Sequence, residues 1–179
     1  MPDKKGNLFL FEAIELRNEY DRHIQLMENL LNDHESKRSG MRYYAENGIE
    51  EKEPVEGFSP KDFMEKLKKM QSKRIKLNHA IQIANFETEI DYNDEKISIA
   101  EALEIRKNLL ANNQAVAGRV VDSAYKRITH KEERDIVHEP KHSFLKSYES
   151  FQNNLKEVGK LVNRIHTANH RSVVKFKDE

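Results

Sequence analysis

The 179-residue chain is 35% charged and 37% hydrophobic, with mean hydropathy −0.88, and none of its apolar runs approaches the roughly 20 residues of a membrane span. Its 31 Lys+Arg balance 31 Asp+Glu, so net charge gives no argument for nucleic-acid or membrane affinity. The absence of cysteine excludes disulfides, thiolate metal sites and cysteine nucleophiles and suits a reducing compartment. The uncharged run from Asn7 to Phe11 is too short for the core of a signal peptide, so a cytoplasmic protein is expected.

Two blocks recur in the same order. Glu12-Ala13-Ile14-Glu15-Leu16-Arg17 returns as Glu101-Ala102-Leu103-Glu104-Ile105-Arg106, an offset of 89. Ile81-Gln82-Ile83-Ala84-Asn85 returns as Ile165-His166-Thr167-Ala168-Asn169, an offset of 84. Between these anchors the period is helical. A first helix carries Ala13, Leu16, Tyr20, His23, Met27 and Leu30 along one stripe. After a polar loop over 33–58, Ser59-Pro60-Lys61-Asp62 starts a second helix: Ser caps, Pro occupies the first turn, and Asp faces the positive end of the dipole. Its stripe runs Phe63, Leu67, Met70, Arg74, Leu77, Ile81 and Ala84.

The link from Glu87 to Ile97 has β-branched residues flanking Asn93-Asp94 and predicts a small β-hairpin. Ser98 with Glu101 predicts a capping box on a third helix, with Ala102, Ile105, Leu109, Asn112 and Val116 on its stripe. A second polar loop over 123–142 precedes a fourth helix striped by Phe144, Tyr148, Phe151, Leu155, Val158, Val162 and Ile165. By the recurrence, Leu8-Phe9-Leu10 pairs with the strand around Val173-Val174-Lys175-Phe176 as a second ribbon. Each helical pattern spans about 25 residues, or roughly 35–40 Å. The expected fold is all-α. One domain over residues 1–179 is built from two repeats (about 8–90 and 97–176), whose tandem long helical hairpins form an antiparallel, coiled-coil-like four-helix bundle. Short β ribbons lie at one end and the loops at the other.

The duplicated Glu-Ala-Leu/Ile-x-x-Arg helix start, the acidic Gly48-Ile49-Glu50-Glu51-Lys52-Glu53-Pro54 loop, the Ile-x-x-Ala-Asn helix ends and a basic second loop resemble the septicolysin-like family of small bacterial proteins. The resemblance runs from Leu8 to about Val174 and departs in the central hairpin, where Asn93-Asp94-Glu95 replaces a tighter Asp-Gly turn. The family name implies a cytolysin; the resemblance carries over no catalytic residue. A cytolysin needs an apolar insertion segment, and every helix here has a dense polar face.

Candidate chemistry is sparse. Arg17 and Arg106 flank the stripes in equivalent places and are read, with Asn85 and Asn169, as structural polar glue between helix ends rather than an anion-binding pair. Arg17-Asn18 followed by His23 fits the Arg-Asn-x4-His pattern of HEPN-type ribonucleases, but residues six apart do not share a helical face. His138 and His142, and His166 and His170, have metal-ligand spacing but no completing third ligand, so no metal or cofactor is expected. The second helix is basic, a pattern that suits acidic membranes or nucleic acid, and intramolecular or intersubunit charge pairing with the acidic hairpin segment (Glu87, Glu89, Asp91, Asp94 and Glu95) explains it as well.

The two polar loops gather Arg38, Arg42, Tyr43 and Tyr44 with Tyr125, Arg127 and Arg134. Basic side chains among tyrosines suit a subunit interface or a small anionic, nucleotide-like ligand. Acidic residues such as Glu46 and Glu50 in the first loop oppose long nucleic acid. The expectation is a non-enzymatic binding or scaffolding protein and a homo-oligomer, with a small-anion binder as the alternative.

Overall fold

A computed structural model describes residues 6–35, 54–132 and 134–177. The described residues are mostly helical, with three small antiparallel strand pairs among them. In chain order the elements are β1 (Asn7–Phe9), α1 (Leu10–Glu35), α2 (Pro60–Glu87), β2 (Glu89–Tyr92), β3 (Glu95–Ser98), α3 (Ile99–Ser123), β4 (Arg127–Thr129), β5 (Ile136–His138), α4 (Phe144–Asn169) and β6 (Val173–Lys175). Among the described residues no helix is long and apolar enough to cross a membrane. The chain divides into two compact units, residues 1–84 with 172–179, and residues 85–171.

In the first unit β1 pairs antiparallel with β6, Leu8 opposite Val174, which is the terminal ribbon expected from the sequence. The Leu10 N–H continues the link by donating to the Ser172 carbonyl at 2.9 Å. Phe9 N–H donates to Glu12 Oε2 at 2.8 Å, so the glutamate of the Glu-Ala motif caps the start of α1. Leu10, Ala13, Leu77, Ile81, Val174 and Phe176 are buried. The start of α2 forms as its sequence requires. Asp62 N–H donates to Ser59 Oγ at 3.3 Å, and Phe58 packs on Phe63 with centroids 5.0 Å apart, a hydrophobic staple across the first turn. Farther along, Arg74 Nε donates to Asp21 Oδ1 at 2.9 Å, which explains an arginine within the α2 stripe.

In the second unit β2 and β3 form the expected hairpin, with Ile90 opposite Ile97. Asn93 (φ 49°) and Asp94 (φ 66°) both occupy the left-handed region, as a two-residue type I′ turn demands. Ile99 N–H donates to the Thr88 carbonyl at 2.9 Å, and Ser98 with Glu101 makes the full capping box of α3. Helices α3 and α4 then pack along their lengths. Near the β2–β3 hairpin their seam is apolar: Ile99, Ala102, Leu161, Ile165 and Ala168 are buried.

Three sequence expectations need correction. The segment 123–142 is not a plain loop: Arg127 pairs with His138, Ile128 with Val137 and Thr129 with Ile136 to make a third ribbon. Lys126 Nζ donates to Glu139 Oε1 at 2.6 Å beside it, and His130 Nδ1 lies 2.8 Å from Asp135 Oδ1 at its turn. The stripes of α1 and α3 hold at Ala13, Leu16, Tyr20 and Met27 and at Ala102, Ile105, Leu109 and Val116, and miss by one residue at three positions. His23, Leu30 and Asn112 are exposed, whereas Leu31 is buried and Ile24 and Asn113 are half-buried. In α4 the seam runs through Ser147, Phe151, Asn154, Val158, Leu161, Ile165 and Ala168, and leaves Phe144, Tyr148 and Leu155 exposed on its flank. In α4, choosing the most apolar set therefore rotated part of the stripe away from the set that packs.

Candidate functional site

The α3–α4 seam changes character along its length. Away from the β2–β3 hairpin it passes Asn113 and Asn154 and ends at Ser123 and Ser147, which are 6% and 9% exposed. Polar side chains in a packed seam are the informative exceptions to apolar burial. Here they mark the place where the helices stop sealing against each other and a hollow opens.

That hollow is a cavity of about 710 Å³. The end of α3 contributes Arg119, Asp122 and Ser123; the ribbon contributes Arg127, Thr129 and His138; the segment entering α4 contributes Lys141 and His142. Strand alternation explains the division of labour in the ribbon. Arg127, Thr129 and His138 share the face that lines the cavity, while Ile128 and Val137, paired with each other, lie on the opposite, solvent-exposed face. Tyr125 stands in the wall and offers a flat, largely exposed ring. Ser123 Oγ donates to the Val120 carbonyl at 3.0 Å, which leaves its oxygen free to accept.

The charges are mixed but biased. Arg119, Arg127 and Lys141 supply three cations against two carboxylates, Asp122 and Glu139. Glu139 is engaged by Lys126, so its charge is largely answered outside the cavity. Guanidinium forks with hydroxyls beside them bind carboxylate or phosphoryl oxygens well. The volume falls in the usual range for small-molecule sites, and the lining is far more polar than theirs, which favours a charged ligand.

The structure brings together Tyr125 and Arg127 of the sequence-derived set. Arg134 is exposed near the β4–β5 turn and does not line the cavity. Arg38, Arg42, Tyr43 and Tyr44 lie outside the described residues. The polar-glue set is dispersed in exposure: Arg17 and Asn85 are half-buried, Arg106 is exposed, and Asn169 Oδ1 is buried without a hydrogen-bond partner among the described residues. His138 and His142 both line the cavity, yet among the described residues no three His, Asp or Glu side chains converge as metal ligands. Sequence reasoning missed Arg119 and Lys141 and the histidines as binding groups. The available signal was Ser123, which continues the α3 stripe seven residues beyond Val116; Ser147, off the apolar stripe of α4, gave none.

No family model and no curated protein matches the chain. A functionally unknown conserved protein from Corynebacterium diphtheriae, known from its crystal structure, is similar in fold. The TM-score is 0.72 at 18% identity, over 94% of this chain and 99% of that one. At that identity the likeness speaks for the fold alone.

Proposed function

We propose that the protein is a non-enzymatic helical binding protein and that the cavity at the far end of the α3–α4 hairpin takes a small anionic ligand. The observation that carries this reading is the convergence of Arg119, Arg127 and Lys141 on one hollow beside the Tyr125 ring. A thermal-shift screen of phosphometabolites and nucleotides at low salt tests it. Some of these anions should raise the melting temperature of the wild type, and Arg127→Ala with Lys141→Ala should abolish the rise without lowering the ligand-free melting temperature. A wild type that no anion stabilises counts against the reading.

A second reading, a scaffolding homo-oligomer, is favoured by the flank of α4. Phe144 and Tyr148 stack with centroids 5.9 Å apart, and they, Leu145 and Leu155 are exposed. Apolar surface of this kind is commonly covered by a second copy. Light scattering should then give a mass above the 21.1 kDa of one chain. A single 21.1 kDa species at micromolar concentrations speaks against it.

For the fold we propose an internal duplication of one long helical hairpin with its short ribbon. Support for the duplication comes from matched detail at the offsets seen in the sequence: Leu10 to Ser172 and Ile99 to Thr88 are equivalent backbone bonds, and Glu12 and Glu101 make equivalent caps. Membership of the septicolysin-like family remains part of this proposal and assigns no role to any residue.

A further inference from the structure

Beside the cavity lies a second, smaller hollow of about 200 Å³ within the same unit. The two share Arg119 and His142 in their walls. The recess is otherwise lined by Val116, Ser143, Lys146, Ser147 and Ser150. It differs from the cavity in one decisive respect: none of its lining residues is a carboxylate. Arg119 and Lys146 therefore face it with no negative charge in its walls.

Three further features point the same way. Ser147 is 9% exposed and sits in the packed seam. Ser150 Oγ returns its proton to the Lys146 carbonyl at 2.9 Å, but Ser147 Oγ makes no hydrogen bond among the described residues and faces the recess. Ser143 stands at the N-cap of α4 in an extended conformation, and its side chain makes no cap hydrogen bond. The first-turn N–H groups of a 26-residue helix are thus left without their usual side-chain acceptor, at the end of the dipole that favours an anion.

We propose that the recess seats the phosphate head of a small phosphomonoester, whose remaining body occupies the larger cavity against Tyr125. This rests on reading the cavity as an anion site and adds where the charge goes and what it is. Size limits the occupant: drug-sized ligands use pockets of about 300–1,000 Å³, so 200 Å³ takes a head group and not a whole ligand. Donor count selects phosphate over carboxylate. A guanidinium fork, an ammonium and two serine hydroxyls exceed what the two oxygens of a carboxylate accept, and match the three terminal oxygens of a phosphomonoester.

Calorimetric titration at low salt with inorganic phosphate, phenyl phosphate and benzoate tests the assignment. Phenyl phosphate should bind more tightly than either of the others. Lys146→Ala and Ser147→Ala should each weaken both phosphates by about tenfold, the scale of one hydrogen bond to a charged group, whereas Tyr125→Ala should weaken phenyl phosphate alone. Lys146 is exposed, so its variant also reports where Ser147→Ala disturbs the seam. If both recess variants bind as the wild type does while Arg127→Ala loses binding, the recess assignment is overturned and the cavity reading survives. Benzoate binding as tightly as phenyl phosphate overturns the phosphate assignment. Binding of none of the three anions overturns both readings.

Discussion

At the scale of single residues, the ends of the helices are decided by a few hydrogen bonds. Ser98 N–H and then Ser98 Oγ donate to Glu101 Oε2, each at 2.8 Å, and together they hold the Glu101 carboxyl below its ordinary 4.5. Ser98→Ala should lower stability by about 1 kcal/mol, read by urea unfolding. The pH dependence follows from the depressed value. The contribution of Glu101 is complete above the unfolded-state value and disappears as pH falls through the folded-state one. The stability difference between the wild type and Glu101→Gln should therefore shrink below about pH 4. A difference that grows on acidification contradicts the cap. In the hairpin turn, Asp94 holds φ at 66°, so Asp94→Val should cost about 1–2 kcal/mol while Asp94→Gly leaves the melting temperature unchanged or higher.

At the scale of elements, the decisive question is which stripe of a helix packs. Leu161 is fully buried and Leu155 is 47% exposed, although the sequence places Leu155 on the more apolar stripe of α4. Leu161→Ala should cost about 2–5 kcal/mol and Leu155→Ala less than about 1 kcal/mol, measured by denaturant midpoints. Similar losses at both positions contradict the packing described. Removal of Phe176, buried beside the β1–β6 ribbon, should cost about 3–5 kcal/mol as Phe176→Ala.

Legibility followed the range of the forces involved. Local signals were readable: the caps at Ser59 and Ser98, the Asn93-Asp94 turn and the four helices; the pairing of Leu8 with the strand at Val174 is long-range and was readable through the recurrence of the two blocks. The β4–β5 ribbon was not, because its strands are three residues each and its apolar face, Ile128 and Val137, points to solvent. The α4 register was hidden for a related reason. Ser147 and Asn154 look like surface residues in a helical pattern, and only the partner helix shows that they lie in the seam. Only Tyr125 and Arg127 of the candidate site were visible; Arg119, Lys141, Lys146 and Ser147 join it only through the third dimension.

At the scale of the whole molecule, equal numbers of cations and anions conceal a local segregation of charge. In the second unit the apolar seam near the β2–β3 hairpin supplies stability, and the polar seam at the opposite end forms the hollow floor on which cations gather. Binding through exposed cations weakens with salt, because the screening length falls from about 30 Å at 0.01 M to about 8 Å at 0.15 M. Affinity for a phosphomonoester should therefore drop across that interval. The most direct measurement is an amide-resolved NMR titration of the full chain with phenyl phosphate at low salt. The account predicts saturable shifts concentrated in residues 116–129 and 138–150, largely abolished in Arg119→Ala. Shifts confined to other parts of the chain, or no saturable shifts at millimolar ligand, would contradict it.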